Sequence, residues 1–247
     1  MDKTHVKMLV IETTGSPLSV ACFEGGRPVA CVYSDVKRNH SVSLMPFIER
    51  ALETAGADIA DIDVIACSRG PGSFTGVRIG AAAAKGLAQA LAKPLIPVPT
   101  LQALAYNVFD ESALIVPIMD ARRGEVYACA YSWRDGLPRA QTEAMALPVT
   151  NLYNIIFDII SEKYGSIPAN RVIFLGDGVN VHKEDVLRRG YAVAPSHLLL
   201  QNAMSAGALA AKLYEQGVSV SYADFQPFYN RKPQAERELD EKAATRD

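Results

Sequence analysis

The chain has 247 residues, of which 49% are hydrophobic, and its formal net charge is −2. This length suits one large domain or two small lobes with a sizeable buried core. The nearly balanced charge argues against a general nucleic-acid binder, so any contact with RNA needs a local patch or a partner. The sequence shows no apolar run of transmembrane length and no cleavable signal pattern, so we expect a cytoplasmic protein with no membrane span.

The first part of the chain predicts a sheet that begins with antiparallel strands. Glycines at positions 25 and 26 separate two β-rich runs, which is a strong hairpin signal. The predicted strands are Lys7–Glu12, Leu18–Glu24, Arg27–Val36, Val64–Ser68 and Leu95–Val98, and the predicted helices are Ser41–Ala55, Gly76–Leu91 and one from Thr100. Three antiparallel strands followed by alternating helix and strand predict a mixed sheet with helices on its faces.

The second part predicts another group of strands and helices. Its predicted strands are Leu114–Asp120 and Val172–Leu175, its helices are Asn151–Tyr164, Lys183–Arg189 and Gln201–Gln216, and a hairpin pairs Glu125–Ser132 with Ala140–Ala146. We expect an N-terminal α/β lobe over residues 1–110 and a C-terminal α/β lobe over 111–232. The helix over 201–216 is expected to cross back to the first lobe, and the charged tail over 233–247 to be disordered.

A glycine-rich run lies between the strand Val64–Ser68 and the alanine-rich helix. It reads Gly70-Pro71-Gly72-Ser73-Phe74-Thr75-Gly76-Val77-Arg78-Ile79-Gly80. Thr75 is the predicted N-cap, and the free amides beyond it could hold an anion. The Lys-Ser/Thr end of a P-loop is absent, and the spacing does not fit the dinucleotide-binding fingerprint. From these residues alone, a packing turn and a ligand loop are equally open interpretations.

Two further turns are candidates for chemistry. After the first strand, the run 12–16 reads Glu-Thr-Thr-Gly-Ser, which suits either a phosphate loop or a hairpin turn that satisfies its own backbone groups. Glu12 could hold a metal through water. The turn Gly176-Asp177-Gly178 is a second candidate for facing a nucleotide. The charged turn over 120–125 fits an active-site edge, a docking surface or a solvated hairpin end.

Several of these motifs together resemble the TsaB (YeaZ) family. The resemblance rests on the glycine-rich run, on Ala-Ala-Lys-Gly-Leu-Ala at 83–88, on Ile-Glu-Thr-Thr at 11–14, on Asn-His-Ser at 39–41, on the run 119–127 and on Pro-Phe-Tyr-Asn-Arg-Lys at 227–232. It is weaker over 137–226. The resemblance implies a two-lobed α/β fold of the actin, hexokinase and Hsp70 (ASKHA) superfamily, with mixed sheets flanked by helices.

The resemblance also implies a function. TsaB-like proteins are non-catalytic scaffold subunits of the bacterial machinery that makes threonylcarbamoyladenosine in tRNA. The implied partners are a TsaD-like transferase, a TsaE-like ATPase, and tRNA through the complex, with a homodimer when the chain is alone. No cofactor is expected for the chain itself, and whether ATP or ADP binds at the partner interface stays open.

Histidine usage bears on whether the chain itself is catalytic. TsaD-like sequences carry a metal-binding His-x-x-x-His pair soon after the fifth strand, whereas this chain has Thr100 and Leu104 at the matching positions. Leucine cannot bind a metal. The remaining histidines form no ligand-spaced pair, and they are His5, His40, His182 and His197. We therefore expect no metal site and no catalytic residue, and we expect the four cysteines to be reduced thiols that serve as small hydrophobic residues.

The helices after Asn39 and Gly72 are candidates for the partner interface. The first is apolar around most of its circumference and the second is rich in small residues, which permit close helix approach. The interface hypothesis includes Ser41, Leu44, Met45, Ile48, Gly76, Gly80 and Ala84, and a vestigial phosphate loop would include Thr13, Thr14, Gly15 and Gly72. The alternative for both helices is tight packing in the chain's own core.

Two enzyme classes are the alternatives to a scaffold. A small-molecule kinase or ATP hydrolase of the same superfamily is favoured weakly by the first turn and by Gly176-Asp177-Gly178. The lack of metal ligands and of a clear catalytic carboxylate pair counts against it. A peptidase lacks support because no nucleophile and base form a pair, and Gly72-Ser73-Phe74 is not a nucleophile elbow.

Overall fold

The computed structural model describes residues 5–36, 39–164 and 168–229, so the predicted disordered tail over 233–247 lies outside the described residues. Within these ranges the first sheet has the strand order β3-β2-β1-β4-β5. Its strands are β1 Lys7–Glu12, β2 Leu18–Glu24, β3 Arg27–Ser34, β4 Val64–Ser68 and β5 Leu95–Val98. The first three strands are antiparallel, whereas β4 runs parallel to both β1 and β5. The predicted mixed sheet is confirmed.

Three helices follow strands of this sheet, and they are α1 His40–Ala55, α2 Phe74–Leu91 and α3 Thr100–Ala105. The side chain of Asn39 caps α1 by accepting a hydrogen bond from the Ser41 amide at 3.1 Å. Gly56 ends α1 in the left-handed conformation, with φ of 63°, which costs a glycine little.

The start of α2 differs from the prediction. The expected N-cap was Thr75, but the helix begins at Phe74 and Ser73 is its N-cap. Ser73 Oγ accepts a hydrogen bond from the Gly76 amide at 3.3 Å. An N-cap side chain accepts a hydrogen bond from the amide two or three residues later, and Ser73 lies three residues before Gly76. Ser73 therefore caps the helix, and Thr75 lies within the first turn.

Side chains of the first sheet alternate between two faces. Leu9 and Ile11 of β1 pack with α1 and α2, whereas Met8 and Val10 pack on the other face. This second face is covered by α6 Ala203–Glu215, whose Leu209 is fully buried there. The final helix, which follows the second sheet in sequence, therefore packs against the first sheet.

The second sheet has the strand order β10-β7-β6-β11-β12, with β8 pairing β6 and β9. Its strands are β6 Leu114–Arg122, β7 Glu125–Ala128, β8 Tyr131–Arg134, β9 Leu137–Ala140, β10 Met145–Pro148, β11 Val172–Leu175 and β12 Ala192–Val193. Helices α4 Val149–Ile159 and α5 Val179–Arg188 cover one face. On the other face, α3 contributes Leu101 and Leu104 to the packing.

The predicted hairpin between Glu125–Ser132 and Ala140–Ala146 is only partly right. The first of these runs is broken, so β7 pairs with β10 while β8 pairs with β9. At the break, the Ala130 amide donates to the Thr142 hydroxyl at 3.1 Å instead of to a strand neighbour. In the turn between β8 and β9, Asp135 and Gly136 have φ of 53° and 70°.

Short helical turns complete the chain. They are 3-10 turns at Ile59–Asp61, Ala169–Arg171 and Ser196–Leu198, and a π-helical turn at Ile160–Tyr164 that extends α4. None of the helices in the described part of the chain is long and apolar enough to cross a lipid bilayer.

Candidate functional site

The glycine-rich run packs directly against the turn after β1. A Cβ on Gly72 would overlap the Thr14 carbonyl oxygen, a Cβ on Gly76 would overlap the Thr13 carbonyl oxygen, and a Cβ on Gly80 would overlap the Thr13 hydroxyl. Gly72 and Gly76 therefore need to be glycine because two backbone segments meet there, and Gly80 because the Thr13 side chain occupies the space. This geometry supports the packing-turn interpretation of the run.

Hydrogen bonds hold the two segments together. The Thr13 hydroxyl donates to the Gly76 carbonyl at 2.8 Å, and the Ser73 amide donates to the Thr14 carbonyl at 2.7 Å. Thr13 and Thr14 are both fully buried. The turn after β1 and the start of α2 thus form one buried, mutually bonded unit.

Glu12, at the end of β1, is almost completely buried in this unit. Its carboxylate accepts hydrogen bonds from the Thr14 amide, at 2.6 Å, and from the Thr14 hydroxyl. Burial raises the pKa of the Glu12 carboxyl, and hydrogen bonding by Ser68 and Thr14 partly opposes this effect. The carboxylate is thus used inside the chain, as a local acceptor.

Gln201 closes the other side of this turn. Its side-chain amide packs on Gly15, where a Cβ would meet Gln201 Oε1 at 2.5 Å. Gln201 is only 2% exposed, and neither polar atom of its amide has a hydrogen-bond partner among the described residues. The structure therefore places Thr13, Thr14, Gly15 and Gly72 close together, and each of them packs within the chain.

The positions that hold paired histidines in TsaD-like sequences have structural roles here. Thr100 is fully buried, and its hydroxyl accepts a hydrogen bond from the Gly70 amide at 3.1 Å. Leu104 is 1% exposed and packs in the core of the second sheet. His40 lies at the start of α1, with Nε2 3.2 Å from the Pro17 carbonyl oxygen. Among the described residues, no three His, Cys, Asp or Glu side chains group as a metal site.

The charged turn over 120–125 and the turn Gly176-Asp177-Gly178 also form hydrogen bonds within the chain. The Asp120 amide donates to Asp177 Oδ1 at 3.1 Å, and burial raises the pKa of the Asp177 carboxyl. The exposed Arg122 pairs with Asp120 at 3.2 Å. The Gly178 amide donates to the Ile118 carbonyl at 3.2 Å. Gly176-Asp177-Gly178 therefore packs on β6, at the place where the charged hairpin end begins.

The predicted interface residues divide into two groups. Ser41 and Met45 are exposed on α1. The others are buried against the first sheet or the turn after β1, and they are Leu44, Ile48, Gly76, Gly80 and Ala84. The buried group lies on the inner sides of α1 and α2, so it serves the chain's own core. The docking hypothesis therefore moves from the buried group to the outward faces of α1 and α2.

Those outward faces carry apolar and small residues. On α1, Val42 is 70% exposed and Met45 is 46% exposed. On α2, Ala82 is exposed, and a Cβ on Gly86 would have no atom within 4 Å apart from the adjacent backbone of its own helix. Both helices pack on the same face of the first sheet, so together they form its outer layer.

The C-terminal segment, residues 220–229, lies along this layer. The sequence patterns did not predict this contact. The segment pairs with the edge of the first sheet through Val220 and Leu95, and it buries Phe225 in the core beneath α2. The Phe228 amide then donates to the Arg69 carbonyl at 2.7 Å, and the Tyr229 ring packs at a tilt against the Phe74 ring. The aromatic spacing of this segment was the available signal, but it has no helix or strand period.

Comparison with known proteins identifies the family of this chain. The sequence profile of the family described as TsaD, tRNA N6-adenosine threonylcarbamoyltransferase, matches residues 32–238. A tRNA threonylcarbamoyladenosine biosynthesis protein TsaB from Bacillus subtilis is 35% identical over 73% of this chain and 76% of that protein. The protein of the same name from Escherichia coli is 30% identical over 95% of this chain and 98% of its own length.

A solved structure agrees over almost the same extent. YeaZ from Pseudomonas aeruginosa superposes with a TM-score of 0.75 at 30% identity, covering 91% of this chain and 99% of that one. The likeness thus includes the region over 137–226, where the sequence motifs are weakest. The chain shares the fold of YeaZ and is 30% identical to a TsaB protein over almost the full length of both. It therefore belongs to the TsaB (YeaZ) family.

Proposed function

We propose that this chain is a non-catalytic subunit that a TsaD-like transferase needs to make threonylcarbamoyladenosine in tRNA. The observation that carries the proposal is the outward face of α1, where Val42 and Met45 are 70% and 46% exposed. Val42 and Met45 are three residues apart and therefore neighbours on the helix surface, and contiguous exposed apolar surface is typical of protein-binding sites. The names of the TsaB relatives supply the pathway.

The chain's own residues support placing the chemistry on the partner. Thr100 and Leu104 stand where a TsaD-like protein would have its metal-binding histidines. The Thr100 hydroxyl is engaged with the Gly70 amide, and Leu104 is buried in the second core. Neither side chain offers an imidazole to a metal. The partner subunit would therefore supply the metal centre and transfer the threonylcarbamoyl group.

A kinase or ATP hydrolase is the second candidate. It would need backbone amides free to bind phosphate at the turn after β1. The Thr14 amide is already bonded to Glu12, and the Thr14 carbonyl accepts from Ser73. Titration of the purified chain with ATP and magnesium separates the two functions, because tight binding with turnover in the absence of a partner would favour the kinase.

The wider assembly follows from the same proposal. The complex would also contain a TsaE-like ATPase, would contact tRNA mainly through the partner, and would form in the cytoplasm. ATP or ADP would bind, if at all, at the interface between the subunits. Alone, the chain would form a two-fold homodimer on the same outward face, because one exposed patch meets its own copy.

Reconstitution tests the proposed function. The TsaD-like subunit from the same genome is incubated with tRNA and the threonylcarbamoyl adenylate, with a TsaE-like ATPase and ATP present. We expect threonylcarbamoyladenosine only when both this chain and the TsaD-like subunit are present. Modified tRNA made by this chain alone would contradict a non-catalytic role, and full activity without this chain would contradict its requirement.

The oligomeric state is tested by light scattering across a dilution series. The expected result is a homodimer that changes into a heterodimer when the TsaD-like subunit is added. A chain that stays monomeric at high concentration would contradict the homodimer. A homodimer that binds the partner without dissociating would show that two different surfaces are used.

A further inference from the structure

An arginine lies over one aromatic ring and beside a second where the C-terminal segment meets the start of α2. The Arg78 guanidinium carbon lies 3.6 Å from the centroid of the Phe74 ring and 5.8 Å from that of Tyr229. The two ring centroids are 5.4 Å apart, and Arg78 Nε donates to the Tyr229 hydroxyl at 3.3 Å. We call Phe74, Arg78 and Tyr229 the Arg78 cluster.

The cluster is on the surface. Phe74 and Tyr229 are 40% and 41% exposed, and Arg78 is exposed as well. Phe74 and Arg78 are four residues apart on α2, so they share one helix face. The rings restrict the rotamers of the guanidinium before any partner arrives, which lowers the entropy cost of using it in an interface.

The charge of Arg78 has no acidic counterpart in the part of the chain that the structure describes. Several other arginines pair with a carboxylate of the chain itself, for example Arg122 with Asp120 at 3.2 Å and Arg171 with Asp110 at 2.7 Å. Arg78 takes part in no such pair within these ranges, and its one hydrogen bond there is to Tyr229. A guanidinium that is held in one orientation, and has no carboxylate partner among the described residues, is complementary to a carboxylate or a phosphate.

We propose that the Arg78 cluster docks a carboxylate side chain of the partner subunit. This inference rests on the proposed function, which supplies the partner. A protein carboxylate is favoured over a phosphate of RNA because the chain's net charge is −2, whereas nucleic-acid binders concentrate positive charge. Arginine and tyrosine are also the residues that most often dominate the binding energy of protein interfaces.

The cluster joins two parts of the chain. Phe74 and Arg78 belong to α2, whereas Tyr229 is held in place by the C-terminal segment, with Phe225 1% exposed and the Phe228 amide bonded to Arg69 at 2.7 Å. The docking surface therefore includes the C-terminal segment in addition to the helices. Tyr229→Phe should remove the hydrogen bond from Arg78 Nε to the Tyr229 hydroxyl and leave both aromatic rings in place.

The test is calorimetric titration of the full chain with the TsaD-like subunit, using wild type, Arg78→Met, Arg78→Lys and Tyr229→Phe. Arg134→Met, at the exposed end of β8, is the matched control. We expect Arg78→Met to weaken binding about tenfold or more, Arg78→Lys and Tyr229→Phe to weaken it less, and Arg134→Met to leave it unchanged. The salt dependence of binding should also become shallower in Arg78→Met.

A charge swap gives a second readout. Arg78→Glu should abolish binding, and reversal of one acidic residue of the partner to arginine should restore it. If the wild-type chain binds, and both Arg78→Met and Arg78→Lys bind with the same affinity, the inference is overturned and the proposed function stays intact. A wild-type chain that fails to bind the subunit would overturn both. If the chain alone binds tRNA or ATP and Arg78→Met loses that binding, a phosphate replaces the carboxylate and the inference is wrong.

Discussion

Two parts of the same helix use glycine in opposite ways. At the start of α2, Gly76 and Gly80 meet the Thr13 turn, and a Cβ on either would overlap its atoms. Further along, a Cβ on Gly86 would have no atom within 4 Å apart from the adjacent backbone of its own helix. The first two glycines are explained by the chain's own packing, whereas an exposed helical glycine costs about 1 kcal/mol relative to alanine. The fold alone gives no reason for Gly86, but a closely approaching partner would.

The alanines of α2 show the same division. Ala84 is fully buried beside Leu44 and Ile48 of α1, whereas Ala82 is exposed. The sequence pattern assigned Ala84 to the interface, and the structure assigns it to the core. The inner and outer sides of one small-residue helix therefore have separate roles, and substitutions can address each side by itself.

The largest effect should come from Ala84→Arg. This change buries a charge without a partner, and we expect a loss of about 3–5 kcal/mol of unfolding free energy. Ala82→Arg, two residues away on the outward side, is the control and should fold normally. Urea denaturation followed by circular dichroism measures both. If Ala84→Arg were as stable as Ala82→Arg, the assignment of Ala84 to the core would be wrong.

Gly76→Ala should have the next largest effect. The added methyl group would meet the Thr13 carbonyl oxygen, which belongs to buried backbone and cannot rotate away. Overpacking of this kind costs about 1–3 kcal/mol. The expected result is a lower urea midpoint with an unchanged m-value. A neutral result would show that the two segments separate easily, against the picture of one bonded unit.

Gly86→Ala should have the smallest effect on stability, and with the opposite sign. Replacing an exposed helical glycine by alanine should stabilise the isolated chain by about 1 kcal/mol, because the backbone loses less entropy on folding. The same variant should bind the TsaD-like subunit less tightly if Gly86 allows close approach. Thermal unfolding of the isolated chain and calorimetry with the partner measure the two effects, and a destabilised Gly86→Ala would contradict the open space seen here.

Much of the first half could be predicted from the sequence because its signals are local. The bounds of β1, β2, β4 and β5 were predicted to the residue, since short apolar runs end there at glycine, proline or acidic residues. The glycine-rich run was recognised as informative. What it packs against could not be predicted, because the contact with Thr13 joins residues about sixty positions apart and leaves no period in the sequence.

The helix faces were harder to predict than the helices. Both α1 and α2 were located correctly, but five of the seven proposed interface residues proved to be buried. Alanine and glycine suit a tight core and a close interface equally well, so residue type cannot separate the two. The docking role of Arg78 was also hidden, because its rings come from α2 and from a segment more than a hundred residues later.

The central claim is that the outward face of α1 binds a TsaD-like subunit. Calorimetric titration of that subunit with the full chain carrying Val42→Asp and Met45→Asp tests it most directly, with Phe157→Asp on the exposed side of α4 as the control, since Phe157 is 67% exposed. We expect wild type and the control to bind with equal affinity, and the double variant to fold normally but bind at least about tenfold more weakly. Equal binding by the folded double variant would contradict the claim.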